Sequence, residues 1–139
     1  NKRNFDFLIT FDADGQHDYN TIADIESRFN DNYDIVVAKR DSFQRFSEYL
    51  FSFYFLFTQN IKDPLSGFKG YSKVLYQKQG YFGQNNTVGT EILKFASKQG
   101  FRITTVNTHT KKRIGQSRFG SGLSANLKLI KSLINVMRC

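Results

Sequence analysis

The chain has 139 residues, a hydrophobic fraction of 40% and a formal net charge of +8. That length accommodates one domain with its own hydrophobic core. The single cysteine, Cys139, excludes an internal disulfide framework and a cysteine-rich metal site, as is common in a reducing compartment. Because the chain begins with Asn1 and its only methionine is Met137, we expect it to be a piece of a longer polypeptide.

The charge is distributed unevenly along the chain. Residues 1–91 hold all 12 acidic side chains and half of the 20 basic ones, whereas residues 92–139 hold the other half and no acidic side chain. Such asymmetry indicates a surface that meets something anionic, which could be a phosphorylated ligand, a membrane surface or nucleic acid. A solvated basic face without a partner is the alternative.

Strands and helices alternate in the first half of the chain. Residues 5–11 (FDFLITF) and 35–38 (IVVA) are rich in aromatic and β-branched side chains, which predicts two buried strands. Residues 21–29, between them, place apolar side chains at helical spacing and predict an amphipathic helix. Residues 43–57 have the length of a helix and are apolar on nearly every side after Glu48.

The second half continues the alternation. Asp63, Pro64 and Gly67 predict a break in the chain. Gly80 and Gly100 predict the ends of two helices. The predicted elements are helices over residues 72–79 and 89–99, a strand over 102–108, a basic loop over 110–122 and an amphipathic helix over 123–137. This order predicts an α/β fold.

Residues 46–57 contain seven phenylalanines and tyrosines, which is more than a helix with a solvent-exposed face tolerates. Twelve residues are too few to span a bilayer. Packing of these rings against the sheet is the first interpretation. The alternative is a helix that lies on a membrane and faces a prenyl chain, and the basic helix predicted over residues 123–137 would suit the same surface.

The stretch LITFDADGQHD, residues 8–18, ends a buried strand on two like charges. Side chains two residues apart in an extended segment point to the same side, so Asp12 and Asp14 repel unless a cation lies between them. With the amide oxygen of Gln16 they form a set of hard oxygen ligands for Mg²⁺ or Mn²⁺. The alternative is a turn that caps the next helix, a part for which Asp18 is better placed.

A strand that ends in D-x-D is compatible with two unrelated chemistries. In the haloacid dehalogenase superfamily the sequence FDADGQ would make Asp12 the nucleophile and Asp14 the general acid. That chemistry requires a second acidic pair later in the chain, whereas Glu91 is the only acid after Asp63, and Gln16 replaces the usual threonine. In nucleotide-sugar glycosyltransferases the two carboxylates hold a cation that bridges the donor diphosphate.

Four blocks in order carry a more specific resemblance: DFLITFDADGQHDYNTI, DIVVAKR, KDPLSGFKGYSK and GTEILKFASKQGFRITTVNTHTKKRIGQSRF. Together they resemble the family 2 glycosyltransferases, especially the dolichyl- and undecaprenyl-phosphate sugar transferases. The resemblance implies that residues 1–139 are the C-terminal part of a GT-A domain with a Rossmann-like, mostly parallel sheet. Residues 110–139 would form its basic loop and last helix, and the half that binds the donor base would precede Asn1.

The resemblance also implies an activity and a site. The parent enzyme would transfer a sugar, with inversion, from a UDP- or GDP-sugar to a polyprenyl phosphate at the cytoplasmic face of a membrane, without nucleic acid as a partner. By the same resemblance the catalytic residues are Asp63 and Arg113, the metal ligands are Asp12, Asp14 and Gln16, and the substrate-binding residues are Asp12, Arg40, Gly67, Phe68, Ser117 and Arg118.

Three alternatives remain open at the level of sequence. The acceptor could be a polysaccharide or a glycolipid, since such enzymes share every block except the basic loop. The chain could instead be a non-enzymatic module that binds membranes or nucleic acid through its basic third. The isolated piece could also bind no nucleotide and be inactive, since it lacks the half that holds the donor base.

The part played by Asp63 is open as well. It could orient the acceptor, because a phosphate is already an anion, or it could only stabilise the turn before Pro64.

Overall fold

The computed structural model describes residues 4–13, 15–43, 45–82, 89–111 and 123–138, with side chains of the last stretch from 126 to 137. Every predicted helix and strand is present within a few residues of its expected ends, whereas the predicted basic loop lies almost entirely outside the described residues. In chain order the elements are β1 (Phe7–Thr10), α1 (Thr21–Asn30), β2 (Ile35–Arg40), α2 (Phe46–Gln59), β3 (Lys69–Ser72), α3 (Lys73–Gln79), α4 (Thr90–Lys98), β4 (Ile103–Thr108) and α5 (Leu123–Arg138).

The strand β3 is the one element that the sequence did not predict. Its residues, KGYS, lack the apolar run of the other strands, and its extended form depends on pairing with a strand on each side. Gly70 makes this packing possible, since a Cβ there would lie 2.6 Å from Ile25 Cγ2 and 2.8 Å from the ring of Phe29. Only a glycine lets α1 approach the backbone of β3 so closely.

The four strands form one sheet in the order β1-β3-β2-β4. β3 runs antiparallel to both of its neighbours, and β2 runs parallel to β4. Three strands therefore point in the same direction and β3 runs against them. The predicted α/β architecture is confirmed.

Helices cover both faces of the sheet, because side chains along β2 alternate between two cores. Val36 and Ala38 pack with Ile25 of α1 on one face, whereas Ile35 and Val37 pack with α2 to α5 on the other. Residues 35–38 are fully buried, as a strand covered on both faces requires.

The aromatic helix α2 divides its side chains between the core and the surface. Phe51 and Phe55 are fully buried, with ring centroids 6.4 Å apart, so packing against the sheet is confirmed for this side of the helix. The helix ends at Asn60, which adopts the left-handed conformation (φ 56°). Among the described residues, no helix is both long enough and apolar enough to cross a bilayer.

The two sides of α2 should respond differently to truncation. We expect Phe55→Ala to lower the free energy of unfolding by about 3–5 kcal/mol, because it leaves a cavity in the core. Phe57→Ala, which removes a ring that is 85% exposed, should change it by less than about 0.5 kcal/mol. Urea unfolding followed by circular dichroism measures both, and equal losses would contradict the burial described here.

Candidate active site

The candidate site lies at one edge of the sheet. The carboxyl ends of β1, β2 and β4 meet there, because these strands point the same way. The amino end of β3 reaches the same edge, where Lys69 pairs with Thr10 on one side and Val37 on the other. Three predicted parts of the site therefore come together although they are far apart in sequence. They are residues 12–16, called the metal turn from here on, Arg40 and the block 63–68.

Asp12 follows β1 and rests directly on the backbone of Gly67. A Cβ at Gly67 would lie 2.4 Å from Asp12 Oδ2, so any other residue would displace the carboxylate. Thr10 Oγ1 donates a hydrogen bond to the carbonyl of Gly67 (3.1 Å), which joins the same two segments. The glycine permits a close approach of the Asp12 carboxylate; its predicted part in substrate binding stays a prediction.

The rest of the metal turn is fastened to the segment that leads into the basic loop. Lys111 N donates to the carbonyl of Gln16 (2.9 Å), and Gln16 Nε2 donates back to the carbonyl of Lys111 (3.2 Å). His17 and Thr110 form an antiparallel bridge beside them. Four predicted site residues lie outside the described residues: Asp14, Arg113, Ser117 and Arg118. Lys111, just before the last three, is described and lies beside Gln16.

A buried ion pair lies beneath this edge. Arg40 Nε donates to Asp63 Oδ2 (2.8 Å) and Nη2 donates to Oδ1 (3.0 Å), so the contact is bidentate. The backbone N–H of Arg40 also donates to Asp63 Oδ2 (3.1 Å). Asp63 is fully buried. Both the guanidinium and the backbone N–H of Arg40 thus bind the carboxylate of Asp63.

Glu48 extends the pair into a network. It is 4% exposed and accepts hydrogen bonds from Arg40 Nη2 (2.9 Å) and Arg45 Nη1 (3.2 Å). Burial by itself would lower the pKa of Arg40, but the hydrogen bonds and charges of Asp63 and Glu48 outweigh it and raise that pKa. Arg40 therefore remains a cation, and its contacts with Asp63 and Glu48 hold it in place below the site.

Lys69 is buried next to this network. Its Nζ donates to the carbonyl of Ser66. Burial lowers the pKa of Lys69 to about 8; the negative charges of Asp63 and Asp12 oppose the decrease, and Arg40 adds to it. A Cβ at Gly89, whose φ is +80°, would lie 3.4 Å from Nζ, so α4 also begins against this lysine. At neutral pH the ammonium carries its proton and supplies positive charge beneath the carboxylates.

At the predicted metal turn, Asp12 is exposed and Gln16 is anchored through its amide nitrogen. Carboxylate and amide oxygens are the kinds of ligand atom that a hard divalent cation prefers. Within the described residues there is no group of three or more histidine, cysteine, aspartate or glutamate side chains that could hold a metal. The three-ligand set therefore requires Asp14, which is placed there by sequence alone.

Two predicted residues have surroundings that the sequence did not anticipate. Phe68 is 1% exposed and packs in the core, with its ring centroid 5.1 Å from His17 and 6.0 Å from Phe11, so its side chain supports the turn from below. Asp63 is equally buried. The side chains that the sequence missed are Glu48 and Lys69; a carboxylate in the first turn of an apolar helix was the available signal for Glu48.

Removal of the buried carboxylate should destabilise the whole edge. We expect Asp63→Ala to lower the free energy of unfolding by about 3–5 kcal/mol, because Arg40 would keep a buried charge without its main partner. Asp41→Ala is the control, since the exposed Asp41 pairs with the exposed His109 at 3.1 Å, and this substitution should cost less than about 1 kcal/mol. Chemical unfolding at neutral pH compares the two, and equal costs would refute the role of the pair.

The lowered pKa of Lys69 predicts a stability that depends on pH. A lysine whose folded pKa lies below its unfolded value of 10.5 destabilises the fold below about pH 8, and this penalty is relieved as the pH rises from 8 to 10.5. Relative to a Lys69→Met variant, the wild-type chain should therefore gain about 3 kcal/mol of unfolding free energy across that range. Urea titrations of both proteins at several pH values measure the difference, and a constant difference would contradict it.

Comparisons with known proteins bear on the fold. No family model matches the chain, and no curated protein matches it in sequence. The solved structure of glucosyl-3-phosphoglycerate synthase from Mycobacterium tuberculosis, in complex with phosphoglyceric acid, superposes with a TM-score of 0.67 at 13% identity. The match covers 96% of this chain and 50% of that one, so the chain spans about half of the solved structure. The chain therefore has the α/β fold of a GT-A glycosyltransferase.

Proposed function

We propose that the chain is the C-terminal part of a metal-dependent, inverting glycosyltransferase of family 2. Its donor is a nucleotide-diphospho-sugar and its acceptor is a polyprenyl phosphate. The observation that carries the proposal is the shared sheet edge, where the exposed carboxylate of Asp12, the anchored amide of Gln16 and the start of the basic loop at Lys111 lie together above the Arg40–Asp63 pair.

The metal end of the site is assigned to Asp12, Asp14 and Gln16. When bound, Mg²⁺ or Mn²⁺ supplies positive charge to the diphosphate that leaves with the nucleoside. The chain's own contribution is positional: Gly67 fixes the carboxylate of Asp12, and Lys111 fixes the amide of Gln16. Ligands whose positions are held by packing bind a cation with less loss of conformational freedom.

The basic loop is the second part of the diphosphate site. Arg113, Ser117 and Arg118 are proposed to bind phosphate oxygens, because arginine forks bind them in bidentate fashion and neighbouring glycines allow backbone N–H groups to approach. Arg113 follows Lys111 by two residues, so the loop begins within reach of the metal turn. The donor diphosphate would lie between carboxylates with their cation on one side and arginines on the other.

Asp63 is proposed as a positioning residue. Its buried carboxylate is occupied by Arg40, and it has no exposed oxygen with which to take a proton from an acceptor. A phosphate acceptor is already an anion and requires orientation more than deprotonation. In the transfer, an acceptor oxygen forms the new bond to the anomeric carbon while the bond to the leaving diphosphate breaks, so no proton has to move.

A soluble phosphorylated acceptor is the second candidate. The solved structure with a similar fold holds phosphoglyceric acid, which carries a phosphate and a carboxylate. The same arginines could orient either kind of phosphate. Transfer to polyprenyl phosphate compared with transfer to small phosphorylated acids, soluble glycans and glycolipids separates these candidates. A polyprenyl acceptor would place the enzyme at the cytoplasmic face of a membrane.

Single substitutions in the full-length protein test the site. We expect Asp14→Ala and Arg113→Ala each to lower sugar transfer by about a hundredfold or more, because each removes charge that faces the diphosphate. Asp24→Ala, which removes an exposed carboxylate from α1, is the matched control and should retain activity. The measurement is transfer from UDP- and GDP-sugars in the presence of Mn²⁺, with the fold checked by circular dichroism.

Full activity of both site variants would overturn the proposed function. So would transfer that is unaffected when the divalent cation is removed by a chelator. Binding of nucleic acid with no transferase activity would favour a non-enzymatic basic module instead.

A further inference from the structure

Lys69 lies on the same face of the sheet as the carboxylate of Asp12. Its partner in the register between β1 and β3 is Thr10. Two residues farther along both segments, the carboxylate of Asp12 lies against Gly67. Because alternate residues of an extended segment share a face, Thr10, Asp12 and Lys69 point to the same side. Diagonal neighbours of this kind are about 7–8 Å apart at their Cα atoms, which is within reach of a long side chain.

The ammonium of Lys69 is fixed in its place. Lys69 is 1% exposed, and its Nζ donates to the carbonyl of Ser66. At the start of α4, a Cβ on Gly89 would lie 3.4 Å from Cδ and Nζ of Lys69 and would overlap the hydroxyl of Tyr71. Only a glycine at that position leaves room for both side chains. A lysine at the surface can turn its charge away from a bound ion, whereas this lysine cannot.

Three charged groups act on this ammonium. Asp63 attracts it, Arg40 repels it and Asp12 attracts it. Asp63 and Arg40 form the buried ion pair, so their effects on the lysine oppose each other. The attraction of Asp12 is added to this opposed pair. The lysine therefore faces the exposed carboxylate that is assigned to the divalent cation, and it already supplies positive charge to that carboxylate.

We propose that Lys69 is a resident counter-ion that competes with the divalent cation for the charge of Asp12. Without a cation, the ammonium stabilises the ionised carboxylate. A cation at the metal turn is repelled by this buried charge, which salt screens only weakly. The protein alone therefore binds a divalent cation weakly, and binds it more firmly together with the diphosphate, whose phosphates add negative charge at the same place. This deepens the proposed function and rests on it, because the cation and the diphosphate belong to that proposal.

A lysine with a purely structural role would give the opposite result when it is replaced. If Lys69 only held residues 66–69 in position, its loss would displace Gly67 and with it Asp12, and the cation would bind more weakly. If the charge of Lys69 opposes the cation, a neutral side chain of similar length strengthens cation binding. The sign of the change in affinity therefore separates the two roles.

Manganese binding to the full-length protein, measured by electron paramagnetic resonance at neutral pH without nucleotide, tests the proposal. Lys69→Met should bind Mn²⁺ about tenfold more tightly than the wild type, because a positive charge next to a cation ligand is removed. Lys69→Gln, a second neutral replacement that keeps a polar end, should show a similar gain. In the wild type, UDP or GDP should tighten Mn²⁺ binding by about tenfold or more.

Lys73→Met is the matched control, because it removes the same charge at the opposite end of β3. Lys73 Nζ donates to Asn4 Oδ1 (2.6 Å) and lies 5.7 Å from the ring centroid of Phe5. This variant should change the affinity for Mn²⁺ by less than about twofold, and the gain of Lys69→Met should persist in about 0.5 M KCl. Circular dichroism and urea unfolding of each variant show whether it remains folded.

Unchanged or weaker Mn²⁺ binding by the folded Lys69 variants would overturn the counter-ion alone. An equal gain in Lys73→Met would also overturn it, because net charge would then explain the effect. So would wild-type binding of Mn²⁺ that UDP and GDP leave unchanged. If no protein binds Mn²⁺ with or without these nucleotides, the metal site of the proposed function is overturned, and the counter-ion with it.

Discussion

The sheet edge that carries the candidate site depends on the contact between Arg40 and the buried carboxylate of Asp63. Arg40 ends β2, Asp63 opens the segment that leads to β3, and Glu48 brings the first turn of α2 to the same guanidinium. Removing these charges from water is repaid only when all partners are in place, so the three segments must come together as a unit. Ser66 N donates to the carbonyl of Asp63 (3.3 Å), so the segment that starts at this ion pair leads directly to Gly67, against which Asp12 lies. The position of Asp12 is thus connected through the chain to an ion pair that Asp12 does not join.

The antiparallel strand β3 is the reason why acidic and basic side chains meet at this edge of the sheet. The chain leaves β1 and β2 at this edge and enters β3 at the same edge, because β3 runs antiparallel to both. Asp12 and Arg40 therefore meet Lys69 and the 63–68 segment, which a wholly parallel arrangement would have placed elsewhere. Burial between two neighbouring strands lowers the pKa of Lys69 at this position. Among the described residues, the edge consequently has the exposed carboxylate of Asp12 above and the cations Arg40 and Lys69 below.

Much of the fold could be predicted from sequence, because runs such as IVVA and the spacing of Ile22, Ile25 and Phe29 report burial directly. β3 could not, since KGYS becomes extended only through its two partners. The D-x-D turn and the blocks around it indicated the part of the site that the structure describes, where Asp12, Arg40 and residues 63–68 meet at the edge. What they could not predict was burial: Asp63, Glu48 and Lys69 look like surface residues in the sequence, and only long-range pairing places them inside. The charge-free outer face of α2 was visible as a composition, but not which of its rings face outward.

The fastening between Gln16 and Lys111 has a mechanical consequence for the basic loop. Its first end is tied to the metal turn. Its second end leads into α5, whose Asn126 is tied to Ser47 at the start of α2. The two described segments that flank residues 112–122 are therefore each held to a different part of the fold, one beside Asp12 and Gln16 and the other at the start of α2. The distance between Lys111 and the first turn of α5 is thus set by the packing of α2 against the sheet, and a shift of α2 would change the span that residues 112–122 have to cover.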